Sequence, residues 1–254
     1  MRAEVFIDSR FRLAESPLLL DGRLYWVDIE GDGIYYFDGG VKLWKEVKTP
    51  TTIAPWRGGL IYTSFRSVVV GEKEFPISDE GVRFNDGKCS PEGELWVGTM
   101  DLNEREPKGR LYAFDGKGFR RLVEGLIISN GLDWLDDEFF LVDSPRRAVF
   151  VYSYPSLTLK WKMDTSSLPG VPDGLTVDSE GRIWVAHYGG GIVSVWEGGK
   201  LVDKVEVPVK LVTSVALSEG GELYITTSGR DGVGGQIYRA KVNARGRKPF
   251  ECAF

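Results

Sequence analysis

Long apolar runs are missing from this 254-residue chain. Runs such as residues 18–20 and 68–70 are far too short to cross a bilayer, so no membrane partner is expected. Room for a signal peptide is missing too, because Met1-Arg2-Ala3-Glu4 leads straight into a β-rich run, and the expected location is cytoplasmic. There is no basic stripe: 37 acidic residues face 32 basic ones, for a net charge of −5. A phosphate backbone needs a localised positive surface, so no nucleic acid partner is expected. No segment sustains a 3.6-residue period with caps, which leaves few helices. Nor does a low-complexity linker or a shift in composition mark a second domain, so residues 1–254 read as a single domain. Cysteine is scarce. Cys89 and Cys252 cannot by themselves make a disulfide framework or a zinc knuckle, and they read as structural or incidental thiols.

What the chain does have is a repeat. Leu24-Tyr25-Trp26-Val27-Asp28, Leu95-Trp96-Val97-Gly98-Thr99, Ile183-Trp184-Val185-Ala186-His187 and Leu223-Tyr224-Ile225-Thr226-Thr227 are copies of one pattern. Leu60-Ile61-Tyr62-Thr63-Ser64 and Phe139-Phe140-Leu141-Val142-Asp143 are weaker copies between them. Their first residues lie 36, 35, 44, 44 and 40 positions apart, close to the period of a four-stranded propeller blade. After each copy comes a turn and a second β-rich run, such as Gly33-Ile34-Tyr35-Tyr36-Phe37. In five units a more charged run follows, suited to a solvent-facing edge strand. The sixth unit lacks one, while Ala3-Glu4-Val5-Phe6-Ile7-Asp8 stands unpaired at the start. These features predict an all-β, six-bladed β-propeller whose N-terminal strand completes the last blade and closes the ring.

Nine or ten positions before each copy, where the innermost strand of a blade begins, stand Glu15, Thr51, Asn85, Asn130, Asp173 and Ser214. All six are polar. Innermost strands line the channel of a propeller, so residues at a common phase converge on its axis. Carboxylates are seldom buried unless paired or bound to metal. Glu15, Asn130 and Asp173 thus form an oxygen-only set suited to one hard divalent cation. The same residues would also serve as turn caps or as the lining of a water-filled channel. Asn130-Gly131, Asp173-Gly174 and Asp86-Gly87 are common turn pairs.

The stretches Glu15-Ser16-Pro17, Arg83-Phe84-Asn85-Asp86-Gly87-Lys88, Gly98-Thr99-Met100, Ser129-Asn130-Gly131-Leu132-Asp133-Trp134 and Pro172-Asp173-Gly174-Leu175, with Gly181-Arg182-Ile183-Trp184-Val185-Ala186, resemble the regucalcin/gluconolactonase family, also called the senescence-marker-protein family. The ordered set covers five of the six units. The resemblance implies a divalent cation (Ca, Zn, Mg or Mn) at the channel mouth and hydrolysis of a sugar lactone. Carried over residue by residue, Glu15, Asn130 and Asp173 match metal ligands, Arg83 and Asn85 match groups that hold substrate hydroxyls, and Asp173 matches the general acid/base. The chain departs from the pattern in one place. Relatives that act on gluconolactone use a Glu shortly before the Gly-x-Leu-Tyr strand, whereas here the loop 101–108 is shorter and Arg105 or Glu106 falls near that place.

Lactone opening needs an electrophile for the carbonyl oxygen, an activated water and a proton for the leaving alkoxide, all of which such a site supplies. Two other readings share it: hydrolysis of organophosphates or other esters, and a calcium-binding propeller with no turnover. His187, the single histidine, occupies the position held elsewhere by Asp28, Ser64, Thr99, Asp143 and Thr227, a recurrent polar strand end, and reads as structural. Trp26, Trp96 and Trp184 read as packing between blades.

Overall fold

The computed structural model describes residues 1–254 and contains 24 β-strands and a single 3₁₀ turn, Ser144–Arg146. The strands form six four-stranded antiparallel sheets in a propeller arrangement. The innermost strands are β2 (Ala14–Leu20), β6 (Thr52–Trp56), β10 (Val82–Cys89), β14 (Ser129–Leu135), β18 (Val171–Val177) and β22 (Val212–Leu217). The repeated pattern is the second strand of every blade: β3 (Arg23–Asp28), β7 (Gly59–Thr63), β11 (Leu95–Asp101), β15 (Glu138–Asp143), β19 (Ile183–Tyr188) and β23 (Glu222–Thr227). We number the blades 1 to 6 in this order and call the rim where the innermost strands begin the upper rim.

Ring closure is as the sequence predicts. Strand β1 (Glu4–Ile7) pairs antiparallel with β24 (Ile237–Lys241) and supplies the outer strand of blade 6. Charged outer strands face solvent: five of the six residues of Val41–Glu46 are exposed, and so are six of the seven of Lys200–Glu206. The core lies between blades. Trp96 of blade 3 packs edge-on against Trp134 and Phe139 of blade 4, with ring centroids 5.3 and 4.9 Å apart. Trp26 is fully buried, and Trp184 joins the cluster that glues blade 5 to blade 6.

The cysteines correct the sequence reading. Cys89, at the lower end of β10, is disulfide-bonded to Cys252, 163 residues away, with Cα atoms 5.2 Å apart. The C-terminal segment makes this possible. From residue 243 it crosses the underside of the ring, accepting from Ser179 N–H at Arg245 C=O and donating from Gly246 N–H to Ser218 C=O, both at 2.8 Å. It ends on the far side, where Cys252 N–H donates to Pro55 C=O and the Trp56 indole donates to Phe254 C=O at 2.7 Å. Neither partner lies in the other's local sequence, so spacing carried no sign of the bond. In the chain-entropy account, closing a loop of this size stabilises the fold by about 5 kcal/mol.

Candidate functional site

Five of the six innermost strands lose register near their upper ends. The pairing shifts between Glu15 and Leu18, Phe84 and Gly87, Ser129 and Leu132, Pro172 and Leu175, and Val212 and Ser214. A bulge bends its strand and re-aims side chains. Here it turns Glu15, Asn85, Asn130 and Asp173 into one cavity of about 120 Å³ below the upper rim. Strand β6 pairs without a shift, and blade 2 contributes nothing to the cavity. Its Thr51 hydroxyl is instead bonded to Thr63 at 2.5 Å. Ser214 faces a second cavity lower on the axis. Of the six polar positions, four therefore meet and two do not.

The Asn-Gly and Asp-Gly pairs are not turns; they lie inside β10, β14 and β18. A Cβ on Gly131 would stand 2.3 Å from Leu175 N, and one on Gly174 would stand 2.0 Å from Ser214 Oγ. Both glycines let neighbouring innermost strands approach closely near the axis. In blade 1 the bulge is tighter still: Ser16 adopts φ 50°, a left-handed conformation that costs an L-residue on the order of 1 kcal/mol. Its N–H donates to Glu15 Oε2 at 2.8 Å and fixes that carboxylate.

No cation of the protein pairs with either carboxylate. Neither Glu15 nor Asp173 has an ion-pair partner within 4.0 Å, and both are buried, at 9% and 7% exposure. Burial, with repulsion from Asp173 and Asp86, pushes Glu15 well above the usual carboxyl range. Burial and the charge of Asp86 do the same to Asp173, against opposing pulls from Asn130, Arg230 and Arg83. The Asn130 amide donates to Ser144 Oγ at 3.1 Å, on the 3₁₀ turn, and no protein group donates to its Oδ1. Two carboxylates without a counter-ion and one amide oxygen in one cavity suit a hard dication that keeps water ligands. No three His, Cys, Asp or Glu side chains cluster anywhere, so such an ion would depend on Asn130 and water as well as on charge.

Arg83 and Asn85 work as a unit. The guanidinium donates to Asn85 Oδ1 at 2.9 Å and to Phe84 C=O at 2.8 Å, while Asn85 Nδ2 donates to Ser129 C=O. Burial pulls Arg83 down to about 10, which leaves it charged at neutral pH. Two rim residues escaped the sequence reading. In the loop 101–108 the cavity is lined by Glu104, not by Arg105 or Glu106. Asp101 accepts from the backbone N–H of both Arg105 and Glu106 at 3.0 Å, and Glu106 is drawn off to Lys108 at 2.7 Å. Across the cavity, Arg230 of blade 6 is held by Glu30 of blade 1 at 2.5 Å. His187 lies outside. It is fully buried, its Nε2 shares a hydrogen bond with Ser194 Oγ at 2.8 Å, and burial lowers it to about 4, so it is neutral.

Residues 13–229 match the family model described as SMP-30/Gluconolactonase/LRE-like region. The chain belongs to this family. It is 35% identical to an uncharacterized protein of Sulfolobus acidocaldarius, over 97% of this chain and 98% of that one. It is 32% identical to pentonolactonase XacC of Haloferax volcanii, over 96% of each chain. The solved structure of a calcium-binding protein, regucalcin, from Agrobacterium tumefaciens superposes with a TM-score of 0.89 over 99% of this chain and 97% of that one; at 20% identity this likeness speaks to the fold. The matched region takes in every cavity residue expected from sequence, while Arg230 falls one residue beyond it.

Proposed function

We propose that this protein hydrolyses small sugar lactones with the help of one divalent cation held by Glu15, Asn130 and Asp173. The observation that carries the reading is the pair of buried carboxylates with no protein counter-ion beside an amide oxygen at the cavity floor. When bound, the cation supplies Lewis acidity for the lactone carbonyl and acidifies water.

The chain's own residues do the rest. Water adds to the carbonyl carbon, the ring C–O bond breaks, and the leaving oxygen must gain a proton. Asp173, the carboxylate with a free face in the cavity, accepts a proton from the attacking water and returns it to the leaving oxygen. The acid formed ionises and releases one proton to solvent. Arg83, braced by Asn85, offers donors to ring hydroxyls, and Glu104 offers an acceptor from the rim, which together orient the substrate. The cavity is close to the ~150 Å³ that holds a benzene ring, so it suits a single five- or six-membered ring. The name of the pentonolactonase relative agrees with a ring of that size.

The test is chelation followed by return of single divalent ions, assayed on a panel of pentono- and hexonolactones. Activity lost in chelator and restored by a dication supports the reading. A cation that raises the melting temperature without any turnover on the panel would leave a cation-binding propeller instead. Turnover restricted to phosphoesters would move the chemistry to organophosphates.

A further inference from the structure

Asp86 follows Asn85 in the bulge of β10, and the two adjacent side chains face the axis at different heights: Asn85 lines the upper cavity and Asp86 the lower. Its exposure is 7%. The hydrogen bond it accepts comes from the backbone N–H that follows it, Gly87, at 2.8 Å. No lysine or arginine comes within 4.0 Å. Lys88, the nearest cation acting on it, is bonded to Asp133 at 3.1 Å and to Leu175 C=O at 2.9 Å.

A buried carboxylate without a partner opposes folding, and this one stands directly beneath two more. Asp86 is the strongest charge acting on Asp173, and it also acts on Glu15. Charge accumulates on these three acids only at a cost in the cation-free protein, because burial opposes each of them and they repel one another. They form an attractive well for a dication at the top of the axis.

We propose that Asp86 is a positioning residue for the cation of the upper cavity: it touches neither ion nor substrate, and its charge, one layer down the axis, tightens cation binding. The inference rests on the cation-dependent reading above. It makes a buried carboxylate without an ion-pair partner a device for retaining the ion rather than a defect.

The experiment is calorimetric titration of Mn²⁺ into the metal-free full-length protein, with melting curves of the metal-free forms, for the wild type, Asp86→Asn and Asp86→Glu. Removing the charge is expected to weaken Mn²⁺ binding roughly 10-fold at unchanged stoichiometry, the scale of one unscreened charge several ångströms away. It is also expected to raise the metal-free melting temperature by about 2–4 °C, because a repulsive buried charge is gone. Asp86→Glu restores the charge and is expected to bind nearly as the wild type does. A lower melting temperature with unchanged affinity in Asp86→Asn would show a purely structural residue and overturn the inference. Equal loss in Asp86→Asn and Asp86→Glu would overturn the charge argument. Absence of Mn²⁺, Ca²⁺ and Zn²⁺ binding by the wild type would bring down the cation reading itself, and this inference with it.

Discussion

Asp173 and Asp133 are buried aspartates on neighbouring innermost strands, at opposite ends of the same axial channel, and the protein treats them in opposite ways. At Asp133 burial raises the acid, but Lys88 and Arg247 overcome it, with help from the N–H groups of Trp134 and Val177, and the group ends below its ordinary value. Arg247 reaches it at 2.8 Å from the C-terminal segment, and Thr176 adds a hydroxyl at 3.2 Å. At Asp173 burial is joined by the charge of another acid, Asp86, and the group is pushed up. This chain can neutralise a buried carboxylate when its fold needs one. Glu15 and Asp173, one layer above, are left without such a partner, and under the proposed function the cation fills that place.

Substitutions at both ends test that contrast. The largest effect is expected from Asp173→Asn, which keeps a ligating oxygen and loses both the charge and the proton acceptor. Turnover at saturating metal should fall roughly 100-fold, the scale of general acid/base catalysis, and near-normal turnover at full occupancy would remove the proton-transfer role. Asp133→Asn should do the reverse. It should cost about 2 kcal/mol of stability, less than the roughly 3–5 kcal/mol of a fully buried pair because Lys88 and Arg247 keep partial solvent contact. Cation affinity should stay unchanged, and a parallel loss of affinity would mean that the two ends are not separate. Arg83→Ala should raise KM roughly 10-fold, the size of one charge-assisted contact, with the calorimetric cation affinity intact.

The smallest effect at neutral pH is expected from His187→Gln, which keeps a partner for Ser194. Its consequence lies in acid. The folded value of about 4 is below the ordinary 6.5, so the unfolded chain binds the extra proton first and stability falls as pH drops from about 6.5 toward 4. The variant should lose stability less steeply across that window, by denaturant melts at several pH values. Identical slopes would place the titration elsewhere.

Much of this was legible in the sequence because a propeller repeats. A common phase on six equivalent strands brought Glu15, Asn85, Asn130 and Asp173 together before any coordinates, and the unpaired Glu4–Ile7 run pointed to ring closure. The exceptions have different causes. Thr51 has the right phase but sits on a strand without a bulge, and a bulge is a register event between strands that one strand's residues do not announce. Ser214 sits beside a bulge and still faces the lower cavity. Glu104 and Arg230 lie on rim loops, where position is set by contacts such as those of Asp101 and Glu30 and not by period. The cysteine pair was hidden because it depends on how far the last dozen residues travel under the ring.

That bond has a consequence for how the molecule would behave as a mechanical object. Pulled from its two ends in an optical trap, the chain would first peel β1 from β24 and could then unravel blades 1 and 2, whose residues precede Cys89. Residues 90–251, between the bonded cysteines, lie outside the line of force and cannot lengthen it. Extension should therefore stop at about a third of the full contour, near 3.5 Å for each residue outside the loop, and a second lengthening should follow when reductant is added. Blades 4 to 6, which carry Asn130 and Asp173, would stay tethered through the first event. Blade 1 and its Glu15 would be among the first parts to leave, and Asn85, which precedes Cys89, would lie in the line of force.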